Sequence, residues 1–363
     1  MSEDMTALVD TVVRRTIELS EVPAPTGGEG DRAELVRSWW EADGHRDVRL
    51  DTVGNVWARA RAGDGPALLL CAHLDTVFEV DVPHEVRTHD GALHGPSVGD
   101  DSVGVAALSA AASLLGVGSM PVWLLSTVGE EGLGNLRGAI SALEAPAAEV
   151  GAFVAIEGNY LGRVSTTGVG SRRRRVIVRG PGGHAWEAAG SPSAIHRAAE
   201  LVVRIEAIPR AEGTSVNVGR IGGGEGINMR AREAWFEVDL RADDPVALDA
   251  LTGSLEALLA GVEEPLRVEQ VVLGDRPAGR LDPEHPLVGA AIDGLASVQI
   301  EATSPSTSTD ANAAHARGIP AVALGITTGS GEHTPQEWIA VEPIERGLRA
   351  LARTVQEYEV RCA

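Results

Sequence analysis

The chain contains no lysine, and all 31 of its basic residues are arginine. That absence removes whole mechanisms: a Schiff base to pyridoxal phosphate, a catalytic lysine and the lysine of a Walker-type phosphate loop are all impossible. Cysteine is nearly absent as well. Cys71 and Cys362 are the only two, too few for a disulfide framework or a thiolate zinc site, and they fit a reducing compartment. Any metal must therefore be held by histidine and carboxylate. No apolar run approaches the roughly 20 residues that span a bilayer, and the opening "MSEDMTALVD" is acidic where a secretory signal is basic and then apolar. A cytoplasmic location is expected. Positive charge is scarce: 52 acidic residues against 31 basic ones give a net charge of −21. A surface of that sign repels nucleic acid and anionic membranes, which leaves small molecules as the expected partners.

What is present is a 363-residue chain with 44% hydrophobic residues, enough for two domains or for one domain with a large insertion. Residues 5–20 and 29–42 have helical apolar spacing, and "VRLDTVGNVWARA" and "PALLLCAHLD" read as strands. A Gly/Asp-rich loop, "GPSVGDDSVG", leads into an Ala/Leu helix near 102–115. Two further buried strands, "MPVWLLSTVGEEG" and "GAFVAIEGN", each end in acid. Strands that alternate with helices and finish in histidine or carboxylate predict an α/β catalytic domain, because ligands bind beyond the strand ends of such sheets. Between residues 172 and 274 the order changes to strand, helix, strand, strand, helix, strand, which is the ferredoxin-like order. The predicted organisation is a catalytic domain of 1–171 and 275–363, with a mixed sheet between helices, interrupted by an inserted ferredoxin-like α+β domain.

The strand ends and loops together supply His73 and Asp75, Asp100 and Asp101, Glu130 and Glu131, Glu157 and His333. Histidine nitrogen and carboxylate oxygen, in more copies than one tetrahedral site requires, suit two neighbouring divalent cations that share a carboxylate. Such a pair holds a water between its ions and sharpens its acidity.

The motifs "HLD", "GPSVGDDSVG", "GEEG", "IEG", "GGHAW" and "GEHTPQEW", in that order from about 70 to 340, resemble those of the dizinc metallopeptidase and deacylase family. That family includes acetylornithine deacetylase, succinyl-diaminopimelate desuccinylase, carboxypeptidase G and peptidase T. The resemblance implies that His73 and Glu157 bind one zinc and Glu131 and His333 the other, with Asp100 bridging; cobalt or manganese could stand in for zinc. It implies that Asp75 orients His73 by accepting from its imidazole, that Glu130 is general base toward the metal-bridged water, and that the Asp100–Asp101 peptide is cis. The insert is then a lid and dimerisation domain. Its His184 reaches a partner subunit's site to stabilise the oxyanion, and its Asn228 and Arg241 hold substrate, with arginine suited to a carboxylate. For Arg241 a solvated strand residue is an equal alternative, and the run "RRRR" at 172–175 reads as an exposed strand. Ser102 and Val103 stand where the family often has lysine and glycine, and "NMRA" stands where it has Asn-x-x-Pro.

The implied activity is hydrolysis of a small peptide or N-acyl amino acid by a homodimer. Glu157, where some aminopeptidases carry aspartate, leans toward a deacylase or carboxypeptidase, with a di- or tripeptidase acting at the N-terminus as the alternative. Two rivals come from other classes. "GPSVG" fits G-x-S-x-G, so Ser97 with Asp310 and His333 could form a serine hydrolase triad, although that reading leaves the other acids unexplained. A non-catalytic binding protein with the same fold is the second rival, but such proteins usually lose a ligand or the base, and here all are present.

Overall fold

In the computed structural model, which describes residues 3–363, the strand Ala67–His73 is buried along its whole length. Successive side chains alternate between faces. Leu68, Leu70 and Ala72 enter one hydrophobic cluster, whereas Ala67, Leu69 and Cys71 enter another. A strand covered on both faces reads as an unbroken apolar run, which is why its first polar side chain, His73, marks the sheet's edge.

This strand is central to a seven-stranded sheet, in the order Arg46–Leu50, Val56–Arg61, Val122–Thr127, Ala67–His73, Val150–Ile156, Ala321–Leu324, Val164–Ser165. The four middle strands are parallel, with His73 beside Thr127 and Ile156 beside Leu324. Their carboxyl ends therefore come out together on one edge of the sheet. The first cluster joins one face to residues of helices Glu3–Ser20, Gly30–Ala42, Val103–Ser113, Pro286–Ser297 and Ile344–Cys362. The second covers the other face with helices Arg137–Glu144 and Ala311–His315. Each fully buried Leu contributes about 1.5–3 kcal/mol relative to exposure, so the strand is anchored from both sides.

One smaller sheet matters for the site. Strands Gly329–Ser330, Trp338–Ala340, Ala92–His94 and Arg87–His89 pair in that order, with Trp338 opposite His94. This pairing lays the loop that carries His333 and Glu337 against the segment that leads into Asp100. Strands of three residues and a polar "HDGALH" give no periodic signal, and the sheet was not expected from the sequence.

The chain divides into two compact units: residues up to Gly168 with Arg280–Ala363, and Val169–Gly279. The second unit is a four-stranded antiparallel sheet in the order Thr214–Gly223, Glu233–Ala242, Gly170–Arg179, Arg267–Arg276, with helices Ala194–Glu206 and Pro245–Ala260 packed on it. This is the ferredoxin-like arrangement. Its ladder already pairs Ser171 with Arg276, so the joints lie outside the 171/172 and 274/275 positions read from composition. Helix Pro245–Ala260 begins as its sequence dictates: Pro245 supplies the preset first turn, and the Asp244 carboxylate accepts from the amides of Val246 and Ala247. The arginines of 172–175 are half-buried rather than exposed, paired with Asp249, Asp275, Asp239 and Glu237. Among the described residues no helix is long and apolar enough to cross a membrane.

Candidate metal centre

At the carboxyl edge of the parallel strands, His73 is 2% exposed and its Nε2 lies 2.9 Å from Asp100 Oδ1. The other carboxylate oxygen of Asp100 is 3.1 Å from His333 Nε2, which also stands 3.1 Å from Glu131 Oε1. Donor atoms of His73, Asp100 and Glu157 lie within 4.8 Å of one another, and so do those of Asp100, Glu131 and His333. The five residues expected as ligands thus form two groups that share Asp100. A third group of the same reach joins His73 to Glu130 and Glu131, so the side chain expected as base stands beside the ligand set.

Neighbouring side chains hold the cluster in place. Asp101, joined to Asp100 by a cis peptide, is fully buried and accepts from the amides of His73 and Gly158. It ties two of the strand ends together. Asp75 does more than was expected of it. The nearer acceptor to His73 Nδ1 is the Asp75 main-chain oxygen at 3.0 Å, with the carboxylate at 3.7 Å. The carboxylate also accepts from the amides of Glu130 and Glu131, each at 2.9 Å, and from Thr26 Oγ1 at 2.8 Å. Asp75 therefore fixes the Glu130–Glu131 backbone as well as the histidine. Local sequence shows only the His-x-Asp spacing, whereas the second contact spans more than fifty residues.

Glu337, inside "GEHTPQEW", went unremarked in the sequence. It is buried and accepts from the amides of Ser97, Gly99 and Asp100 at 2.8–2.9 Å. Burial, reinforced by Asp100, pushes its pKa up to about 8. Asn159 donates to Glu332 at 2.9 Å and so tethers the residue beside His333.

The electrostatics test whether these residues fit cations. Burial drives the Glu157 carboxyl well above its usual range, with Asp101, Asp100 and Glu130 adding to the rise. Hydrogen bonds to Asp100 and Glu131 raise His333 to about 10. For His73, burial alone would lower the pKa, but its bonds to Asp100 and Asp75 raise it well above that of a free imidazole. The cluster thus gathers protons to offset its acids, at positions where a metal ion would supply the positive charge instead. Oxygen and imidazole donors, without thiolate, fit zinc, cobalt or manganese.

The serine hydrolase reading fails on geometry. Ser97 is fully buried, its hydroxyl meets Arg32 and Ser102, and its amide is held by Glu337. His333 is engaged by Asp100 and Glu131, while Asp310 bonds Thr127 and Cys71. No triad is assembled, because burial has turned Ser97 inward.

Within the insert, His184 and Asn228 are neighbours. His184 pairs with Met229, and the Ala185 amide donates to Asn228 O at 2.8 Å. His184 is exposed. Arg241 is elsewhere: it pairs with Ser171 and Ser215 at the far end of strand Glu233–Ala242. At about 3.4 Å per residue the strand keeps it far from the Asn228 loop, so one insert does not bring the two together. Its guanidinium is bound to Asp239 at 2.9 Å.

Residues 69–357 match the model of Peptidase family M20/M25/M40. No curated protein sequence matches. Among solved structures, aminopeptidase PepT of Bacillus cereus superposes with a TM-score of 0.80 at 22% identity, covering 96% of this chain and 98% of that one. A tripeptidase of Staphylococcus aureus gives 0.77 at 22% identity, covering 96% and 97%. The YxeP protein of Bacillus subtilis, described as a dinuclear metal binding peptidase of the M20 family, gives 0.71 at 18% identity, covering 96% and 99%. Family match and strand-end geometry converge: the chain belongs to Peptidase family M20/M25/M40 and is a hydrolase of peptide or amide bonds.

Proposed function

We propose that the cluster holds two divalent cations, zinc by preference, and that the protein cleaves the amide bond of a small peptide or N-acyl amino acid. One observation carries this reading: the groups His73–Asp100–Glu157 and Asp100–Glu131–His333 share a single carboxylate, as a pair of neighbouring ions requires. When bound, the ions supply Lewis acidity toward water and toward the substrate carbonyl. Glu130 accepts the proton of the attacking water and returns it to the leaving amine nitrogen. Asp75 keeps Glu130 and Glu131 in register with His73, and Glu337 keeps Asp100 in place. His184 stabilises the negative charge that develops on the carbonyl oxygen, from a second copy in a homodimer formed through the insert. Arg241, once released from Asp239, and Asn228 act as separate contacts to the substrate.

A free carboxylate on the amine side of the scissile bond is the favoured recognition element, because a guanidinium binds it in two parallel bonds. The likeness to an aminopeptidase and a tripeptidase supports a second reading, cleavage next to a free N-terminus. Purified protein loaded with zinc should be screened against N-acyl amino acids, dipeptides and tripeptides, with chelated protein as control. Hydrolysis is expected to vanish on chelation and return with zinc; full activity in protein shown to be metal-free would remove the proposal. Strict dependence on a free N-terminal amine would select the second reading.

A further inference from the structure

Arg32 is among the largest fully buried side chains of the protein. It lies on helix Gly30–Ala42, where "GEGDRAELVRSWW" reads as an ordinary amphipathic turn. Its guanidinium does not reach solvent. Nε donates to Val22 O at 2.8 Å, Nη1 to Leu74 O at 3.1 Å and to Ser102 Oγ at 3.4 Å, and Nη2 to Ser97 Oγ at 3.0 Å. Leu74 is the residue between His73 and Asp75. Ser97 and Ser102 bracket Asp100, and the Ser102 amide closes that loop on Ser97 O at 3.1 Å. One rigid fork therefore grips the strand end that carries one ligand and both sides of the loop that carries the shared one.

The arrangement is costly, and the cost argues for a purpose. An arginine taken wholly out of water loses several kcal/mol of hydration, and here it recovers that through neutral carbonyl and hydroxyl acceptors, with Asp75 and Glu337 acting at longer range. A core position on an apolar helix face could be filled by leucine or methionine without that penalty. Planar geometry with five donors is what this position uses, since the donors leave in fixed directions toward three separate segments.

We infer that Arg32 is a positioning residue that sets the spacing between His73 and Asp100 and thereby the affinity of the site for its cations. This inference rests on the metal-centre reading above. Loss of a group that orients ligands typically costs 10–100-fold in metal affinity.

The test is titration of chelator-stripped protein with zinc and with cobalt, followed by calorimetry and by the cobalt absorption bands. Arg32→Met is expected to weaken binding by about 10–100-fold and to change the cobalt spectrum, with an unchanged far-UV circular dichroism spectrum. Arg15→Met is the control. It removes another buried arginine, paired with Asp43 at 2.7 Å, and should lower thermal stability without moving the metal affinity. If Arg32→Met does not fold, Arg32→Lys, which keeps the charge but not the fork, is expected to show the weakened binding. Wild-type affinity and cobalt spectrum in a folded Arg32→Met, or in Arg32→Lys, would overturn the inference while leaving the metal centre intact. Wild-type protein that binds no divalent ion would overturn the metal centre itself, and the inference with it.

Discussion

The strand-end cluster and the insert differ in how tightly their functional side chains are held. His73, Asp101 and Asp75 are at most 2% exposed, and each is fixed by partners from distant segments; His333 is 56% exposed but is held from two sides by Asp100 and Glu131. His184 sits on a two-residue strand, and Arg241 is 43% exposed with a neighbouring acid as its partner. The contrast matches a division of labour. The ligands of the proposed metal centre need to be set before a cation arrives, because it rewards geometry that is already in place, whereas the substrate contacts proposed for the insert can form late.

The largest expected effect lies in the buried cluster. Glu130→Ala should lower kcat by about 10²–10⁴-fold with both metals still bound by elemental analysis. Loss of one metal equivalent would instead make Glu130 a ligand, as its place in the group with His73 and Glu131 allows. On the insert, His184→Ala should reduce kcat by about 10²–10³-fold and leave metal content and thermal unfolding unchanged. An equal loss of metal would erase the contrast between the two regions.

A third outcome depends on pH. In the metal-free protein His333 titrates near 10 and His73 well above the usual histidine range, each raised by its bonds to carboxylates. At neutral pH His333 is protonated and His73 is shifted toward its protonated form, so cations must displace protons. Metal affinity should rise with pH, by about tenfold per unit for each proton released. Calorimetry in buffers of different ionisation enthalpy counts them directly, and a flat profile would contradict the assignment. The smallest effect is expected of Arg241→Ala: a several-fold rise in KM for substrates with a free carboxylate, with little change for their amides. Equal changes for both would return Arg241 to an ordinary strand residue paired with Asp239.

The His/carboxylate cluster was legible because each expected ligand interrupts an apolar pattern or sits in a short motif. His73 ends a buried run, Glu131 and Glu157 follow two more, and Gly-rich loops flank Asp100. The ferredoxin-like order was legible for the same reason, since its ten-residue strands and amphipathic helices show their periods. Arg32 and Glu337 were not. A buried charge has no local signature; Arg32 looks like a solvated helical arginine until residues 65 and 70 positions away are folded against it. The smaller sheet beside the site was hidden because pairing of Trp338 with His94 is a long-range event between segments too short to show alternation. Motif order likewise cannot say that Asn228 lies in a turn far from Arg241, which sits at the far end of strand Glu233–Ala242.

Cys71 offers a consequence of a different kind. Its thiol lies on the central strand two residues before His73, buried beside Thr127 and Asp310, and burial together with Asp310 raises its pKa well above that of a free cysteine. Alkylating reagents attack thiolates, so Cys71 is silent in the native protein and Cys362, which is exposed, is not. With Cys362 replaced by serine, the chain carries a single masked reporter at the middle of its sheet. The rate at which that thiol becomes reactive times the opening of the strand beneath the proposed metal centre, and a slowing of that rate by added zinc would measure how far bound ions lock the sheet's rim.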